Sequence, residues 1–308
     1  MRWPLVLALA TGCYRSASDR CAVTTGDPAC GPGDALADMT IDGTPSPDVC
    51  VVPTASPVGD AVITGVVGTY FTGVLADDFP AALLGIDNMS NVAVLAQRGQ
   101  GFMGPQMVAI PQNAGEVLAA PRLAPDGLEI FLRIDFTANN THRIMLATRD
   151  PGSDFWKAPV TVALVNGMAG DGDAEPSPPT TTDPRRMVLS YGIRAIEEYV
   201  ELNHDPRSWT LLRRITNPAF GLADYAGQAS LTADAQFLVV RAKGPVSQLN
   251  TAFTVARSAD GGFNNVAVPL PGSGATFSTD EPYLAPDCKH LFYTDETAAQ
   301  QVHEVTYP

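Results

Sequence analysis

Carboxylates are the residues of this chain with the best claim to chemistry. Glu175 closes the run Gly170-Asp171-Gly172-Asp173-Ala174-Glu175, and Asp280 and Glu281 sit together nearer the C-terminus. Carboxyl groups brought together can bind a hard cation, grip sugar hydroxyls, or divide into an acid and a base. The alternating oxygens of Asp171, Asp173 and Glu175 could wrap calcium, although the twelve-residue spacing of a helix–loop–helix site is absent. A solvated acidic rim on an acidic protein is the simplest alternative. No other cofactor or metal is expected. No GxSxG, HExxH, P-loop or dinucleotide fingerprint is present, and no Ser, His and Asp grouping stands out by spacing. His142, His204, His290 and His303 are scattered and read as structural or surface residues.

A repeated unit would have to bring these carboxylates together. Its clearest copy runs from Pro121 to Asp135, where a short apolar segment enters Pro125-Asp126-Gly127 and a stronger apolar run leaves it. Proline presets one turn dihedral, Asp bonds the backbone beyond it, and Gly tolerates a positive φ. The turn Asp recurs at Asp78, Asp126, Asp183, Asp234 and Asp287, about 50 residues apart. Each precedes an apolar run: Ala82-Leu83-Leu84, Ile130-Phe131-Leu132, Met187-Val188-Leu189, Leu238-Val239-Val240 and Leu291-Phe292-Tyr293. Third and fourth strands follow, the fourth of the second copy being expected at Val160–Leu164. Four strands per repeat make a propeller blade.

The expectation is therefore an all-β, five-bladed β-propeller over 58–308; a sixth blade would have to come from the N-terminal segment. A β-sandwich does not account for five aligned turns. The fifth copy lacks a fourth strand, and an open edge needs a partner. Ala61-Val62-Ile63-Thr64 and Cys50-Val51-Val52 are the candidate donors. In such a ring the first strand of each blade lines the channel. That places Asp173, Glu175, Gln228, Asp280 and Glu281 at its mouth, with Thr72 and Ala120 at the equivalent points. Phe155, Trp156 and Trp209 are expected to pack between blades.

Leu123-Ala124-Pro125-Asp126-Gly127 and its apolar strand resemble the TolB-type, WD40-like propeller repeat of bacterial envelope proteins. Leu284-Ala285-Pro286-Asp287-Cys288 is similar, with Cys in place of Gly, and Leu231-Thr232-Ala233-Asp234-Ala235 lacks both Pro and Gly. The resemblance covers about residues 60–308 and implies contacts with other proteins. The turns Thr148–Phe155 and Ser258–Gly262 resemble the Asp-box of sialidases, itself a structural turn.

The 308 residues include 45% hydrophobic and 17% charged, with Gly 27 and Pro 26, as suits a packed chain of many turns. A net charge of −14 disfavours nucleic acid. The pairs Arg185-Arg186 and Arg213-Arg214 read as solvated strand edges that discourage strand addition. Met1-Arg2, the apolar run to Ala10 and Thr11-Gly12-Cys13 read as an export signal over 1–12. Leu9–Cys13 resembles a bacterial lipoprotein signal, which implies lipidation of Cys13, a membrane held by the lipid anchor, and a place at the outer membrane or facing the periplasm. Residues 13–57 read as a flexible tether. Of Cys21, Cys30, Cys50 and Cys288, the favoured pairings are Cys21 with Cys30 and Cys50 with Cys288.

The first functional expectation is a non-catalytic envelope lipoprotein whose propeller binds a protein, peptide or glycan. The alternative is a carbohydrate-acting hydrolase using Glu175 and Glu281, and the third is a structural module without a ligand.

Overall fold

The computed structural model describes residues 50–67, 72–74, 82–87, 92–99, 101–102 and 106–308, except 140, 152, 154, 168–173, 217–219, 223, 244–248, 274–278 and 296–300. The chain divides into Met1–Ser46, wholly outside the described residues, and a compact unit Pro47–Pro308. Cys13, Cys21, Cys30, Asp78, Asp171 and Asp173 thus lie outside the described residues.

Every described element is a strand. β1 (Gly59–Val67) is the first strand among the described residues. Sheet one holds β2 (Thr72–Val74), β3 (Ala82–Asp87), β4 (Val92–Gly99), β5 (Gly101–Phe102) and β6 (Gln106–Met107). Sheet two holds β7 (Glu116–Leu123), β8 (Glu129–Phe136), β9 (Thr141–Thr148) and β10 (Val160–Thr161). Sheet three holds β11 (Ala163–Val165), β12 (Ala174–Pro176), β13 (Arg186–Tyr191), β14 (Ala195–Leu202) and β15 (Asp205–Thr216). Sheet four holds β16 (Asp224–Leu231), β17 (Phe237–Lys243), β18 (Asn250–Arg257) and β19 (Phe263–Pro269). Sheet five holds β20 (Thr279–Leu284), β21 (His290–Asp295) and β22 (Gln301–Thr306), completed by β1.

The sheets follow one another in a β-propeller arrangement. Middle strands are buried on both faces, because alternate side chains point to opposite neighbours. Leu189 and Tyr199 pack toward sheet two with Phe131 and Trp209, while Val188 and Ile196 pack toward sheet four with Leu238 and Val240. Val239 turns the other way and meets Leu291 and Tyr293 of sheet five. Trp209 is fully buried, edge-on to Phe131 at 5.8 Å.

β1 is antiparallel to β22, with Val62 opposite His303. The donor is thus the Ala61–Thr64 stretch. Cys50 is not in a strand, yet it still reaches sheet five through a disulfide to Cys288, Cα–Cα 5.5 Å. Its backbone N–H donates to Asp234 Oδ2 at 2.7 Å. The segment is therefore held against the turns of sheets four and five before it becomes β1.

Three turns share one bonding pattern. Asp126, Asp234 and Asp287 each accept the backbone N–H two residues on, of Leu128, Gln236 and Lys289, at 2.9, 3.0 and 2.9 Å. The next residue is left-handed in each: Gly127 (φ 69), Ala235 (φ 59) and Cys288 (φ 55). Asp183 differs. It precedes a cis peptide bond to Pro184, and its exposed carboxylate lies 3.7 Å from His204.

Three expectations need correction. Val160–Leu164 is not one strand: β10 pairs with β9, whereas β11 crosses to sheet three and runs parallel to β15. Phe155 is 84% exposed, while Trp156 and Trp209 are buried. The two arginine pairs are not merely solvated edges: Arg185 bridges Glu129 and Glu201, Arg186 and Arg213 meet Glu198, and Arg214 meets Glu197.

Candidate functional site

The inner strands β7, β16 and β20 end at the three Asp turns that share one bonding pattern, and each bulges near its midpoint. The register breaks between Ala119 and Arg122, Gly227 and Ala229, and Asp280 and Tyr283. Ala120 (φ 44), Gln228 (φ 55) and Glu281 (φ 49) sit in these breaks with left-handed backbones. All three occupy the same place, six residues before the turn Asp. A non-glycine residue held there costs roughly 1–2 kcal/mol, and such strain gathers at functional sites. At two of the three positions the bulge carries a polar side chain. Glu175 lies on β12, opposite Ser190.

Arg122 ties these residues together. It rises from sheet two, just on the turn side of the Ala120 bulge. Its Nε donates to the Pro176 carbonyl at 3.0 Å, and its Nη2 forms a buried ion pair with Glu281. Gln228 Nε2 donates to the other Glu281 oxygen at 2.6 Å, and Gln228 Oε1 accepts the Glu281 backbone N–H at 3.1 Å. Arg241 Nη1 donates to Gln228 Oε1 at 3.2 Å and to Asp280 Oδ1 at 2.7 Å. Glu281 thus has every carboxylate oxygen engaged and its backbone fixed.

A cavity lies against this network, lined by Arg122, Glu175, Ser190, Gln228, Ser230 and Glu281 among others. It has about 10 Å³ for the centre of a water molecule, roughly one water's worth. Ser230 Oγ is buried there without a hydrogen-bond partner among the described residues.

Burial pushes the Glu281 carboxyl well above the usual range; Arg122 opposes this, while Glu175 and Asp280 add to it. Burial also raises Glu175, opposed by Arg122, Arg133 and Arg241 and helped by Asp280. Glu175 adds to the rise of Glu281 because like charges in a dry site resist joint ionisation. Arg122 contacts Glu281 directly and also acts on Glu175, so it opposes the protonation of both. An acid and an ionised partner are the assignments such displaced groups make possible.

Of the mouth residues expected from sequence, Gln228, Asp280 and Glu281 share this network, and Glu175 lines the cavity beside it. Asp173 and the Thr72 side chain lie outside the described residues. Glu175 has guanidinium groups for neighbours, and among the described residues no group of three or more His, Cys, Asp or Glu side chains could hold a metal. Sequence reasoning missed Arg122, Arg133 and Arg241. Arg122 interrupts an apolar inner strand, and Arg133 and Arg241 face the residues just before two bulges, Ala119 and Gly227. A charge at those places in an apolar run was the available signal.

No protein-family model matches this chain, and no curated protein matches it. Solved structures do. The catalytic domain of a GH62 α-L-arabinofuranosidase from Coprinopsis cinerea is similar at 12% identity, covering 83% of this chain and 98% of that one, TM-score 0.55. An endo-arabinase from Bacteroides thetaiotaomicron is similar at 10% identity, covering 80% and 96%, TM-score 0.51. Identities this low show a shared propeller fold and nothing finer.

Proposed function

We propose that this chain is a carbohydrate-acting hydrolase on a five-bladed propeller, with Glu175 as acid and Glu281 as its ionised partner. One observation carries the reading. Two glutamates from different sheets, both with raised proton affinity, converge on Arg122 beside a polar cavity. Glycoside hydrolysis needs such a pair, one carboxyl protonated and one not. The fold shared with an arabinofuranosidase and an endo-arabinase makes arabinose-containing glycans the first substrates to try.

The test is sugar release from arabinan, arabinoxylan and other polysaccharides by the intact chain and by Glu175→Gln and Glu281→Gln. Release that falls at least a hundredfold in each variant supports the reading. Release unaffected by both substitutions overturns the assignment.

A non-catalytic glycan-, peptide- or protein-binding propeller is the second reading. It is favoured by the way Arg122 and Gln228 occupy Glu281, with room for about one water beside them. Binding without release in the same screen would select it. In either reading the chain is proposed to be exported and lipidated at Cys13. The Cys50–Cys288 disulfide supports an oxidising compartment.

A further inference from the structure

We propose that His142 is a substrate-binding residue at the channel mouth, presenting its Nε2 to a sugar hydroxyl; this rests on the carbohydrate reading above. β7 runs from the mouth toward its turn, so residues near its start mark the mouth side. Arg133 of β8 stands opposite Ala119, just before the bulge at Ala120, and Asp135 stands opposite Val117, further toward the opening. His142 of β9 is the cross-strand neighbour of Asp135. Arg133 is also one of the charges acting on Glu175. Glu175, Arg133, Asp135 and His142 therefore form a row leading outward from the buried pair.

Hydrogen bonds fix the imidazole. Arg133 grips Asp135 with Nε at 2.8 Å from Oδ1 and Nη2 at 3.3 Å from Oδ2. A carboxylate held this way is an acceptor only. His142 Nδ1 lies 2.7 Å from the same Oδ1, so Nδ1 carries the hydrogen. With the hydrogen on Nδ1, the neutral form of the ring has its lone pair on Nε2. That nitrogen makes no hydrogen bond among the described residues, and the side chain is 22% exposed. An oriented, half-buried acceptor suits a hydroxyl donor.

The other histidines differ. His290 is bonded to Asp287 at the turn end. His303 lies between Asp60 and Asp295 and stacks on Tyr293. His204 is exposed beside Asp183. A plain strand-end ion pair would also give the Asp135–His142 bond, and it would leave Nε2 indifferent to sugar.

The test uses the full chain with linear arabino-oligosaccharides and arabinoxylan oligosaccharides as probes. Histidine ¹⁵N spectra are followed during titration, and binding and turnover are measured for His142→Ala and His142→Gln. The expected result is a saturable shift of the His142 Nε2 resonance. His142→Ala should weaken binding or raise KM about tenfold, the loss of one hydrogen bond. Its kcat should change less than twofold and its Tm should hold, and Gln should restore part of the affinity. Unchanged affinity in His142→Ala, or an unmoved resonance while the probe binds, overturns the proposal. A moving resonance without any sugar release leaves it standing while the hydrolase reading fails. If no probe binds the unsubstituted chain, both fall.

Discussion

Arg122 and Glu281 are paired across the channel, from sheet two to sheet five, with both side chains almost fully buried. The pair spans non-neighbouring sheets, since sheet one lies between them in the ring. Removing one partner strands the other's charge away from water. Arg122→Met is expected to destabilise the chain by about 3–5 kcal/mol, and combining it with Glu281→Gln should recover part of that. Urea unfolding of the three proteins measures both effects. Additive losses would show that the two residues do not interact.

Glu175 and Glu281 also make stability depend on pH with a definite sign. Both have folded-state proton affinities above those of the unfolded chain, chiefly through burial, with Asp280 adding to both and Glu175 adding to Glu281. Their contribution is fully present below the ordinary glutamate pKa of 4.5 and is lost as pH rises through the raised folded values. The slope is at most about 1.4 kcal/mol per pH unit for each proton. Urea unfolding from about pH 4.5 upward should show it in the intact chain. Glu175→Gln should reduce it, because the neutral amide cannot lose a proton, while the share of Glu281 remains.

The turns show how much was legible and why the rest was not. Asp126, Asp234 and Asp287 announced themselves because an Asp can bond the backbone two residues on, and the sequence spacing of that residue follows the fold. Asp183 lay at the right interval, but Pro184 follows it in a cis bond, and its turn takes another form. The mouth positions could be placed by counting back from the turns. Their chemistry could not, because the arginines that set it come from other sheets: Arg122 faces Glu281 across 159 residues of sequence. β11 was misplaced for a related reason. A short apolar run satisfies either edge it can reach, and no local residue says which sheet it will join.

Ala235 offers a test of the turn itself. It stands where Gly127 stands in sheet two, with φ 59 against φ 69. Its Cβ meets the following backbone in that conformation, whereas glycine has none to clash. Ala235→Gly should therefore stabilise the chain by about 0.5–1 kcal/mol, despite the greater freedom it gives the unfolded state. A shift of the urea midpoint upward without a change of slope would show this. A downward shift would mean that the buried methyl group contributes more than its strain removes.

Glu198 is surrounded by three arginines, and the consequences of losing it differ from those of losing any one of them. Its buried carboxylate meets Arg186 at 3.0 Å, Arg213 at 2.8 Å and Arg257 at 2.8 Å, joining sheet three to sheet four. Arg257 is further fixed by the carbonyls of Ala235 and Gly261, so it cannot swing away. Glu198→Gln keeps the shape but leaves three guanidinium groups facing one another with no negative charge between them. The expected loss is about 3–5 kcal/mol, the usual result of stranding buried charge. Arg186→Gln removes a side chain 31% exposed and leaves Glu198 with two partners, so it should cost about 1 kcal/mol or less. Added salt should recover part of the first loss, because it screens the repulsion among the arginines, and little of the second. Equal losses in the two variants would mean that Glu198 is held by packing rather than by charge.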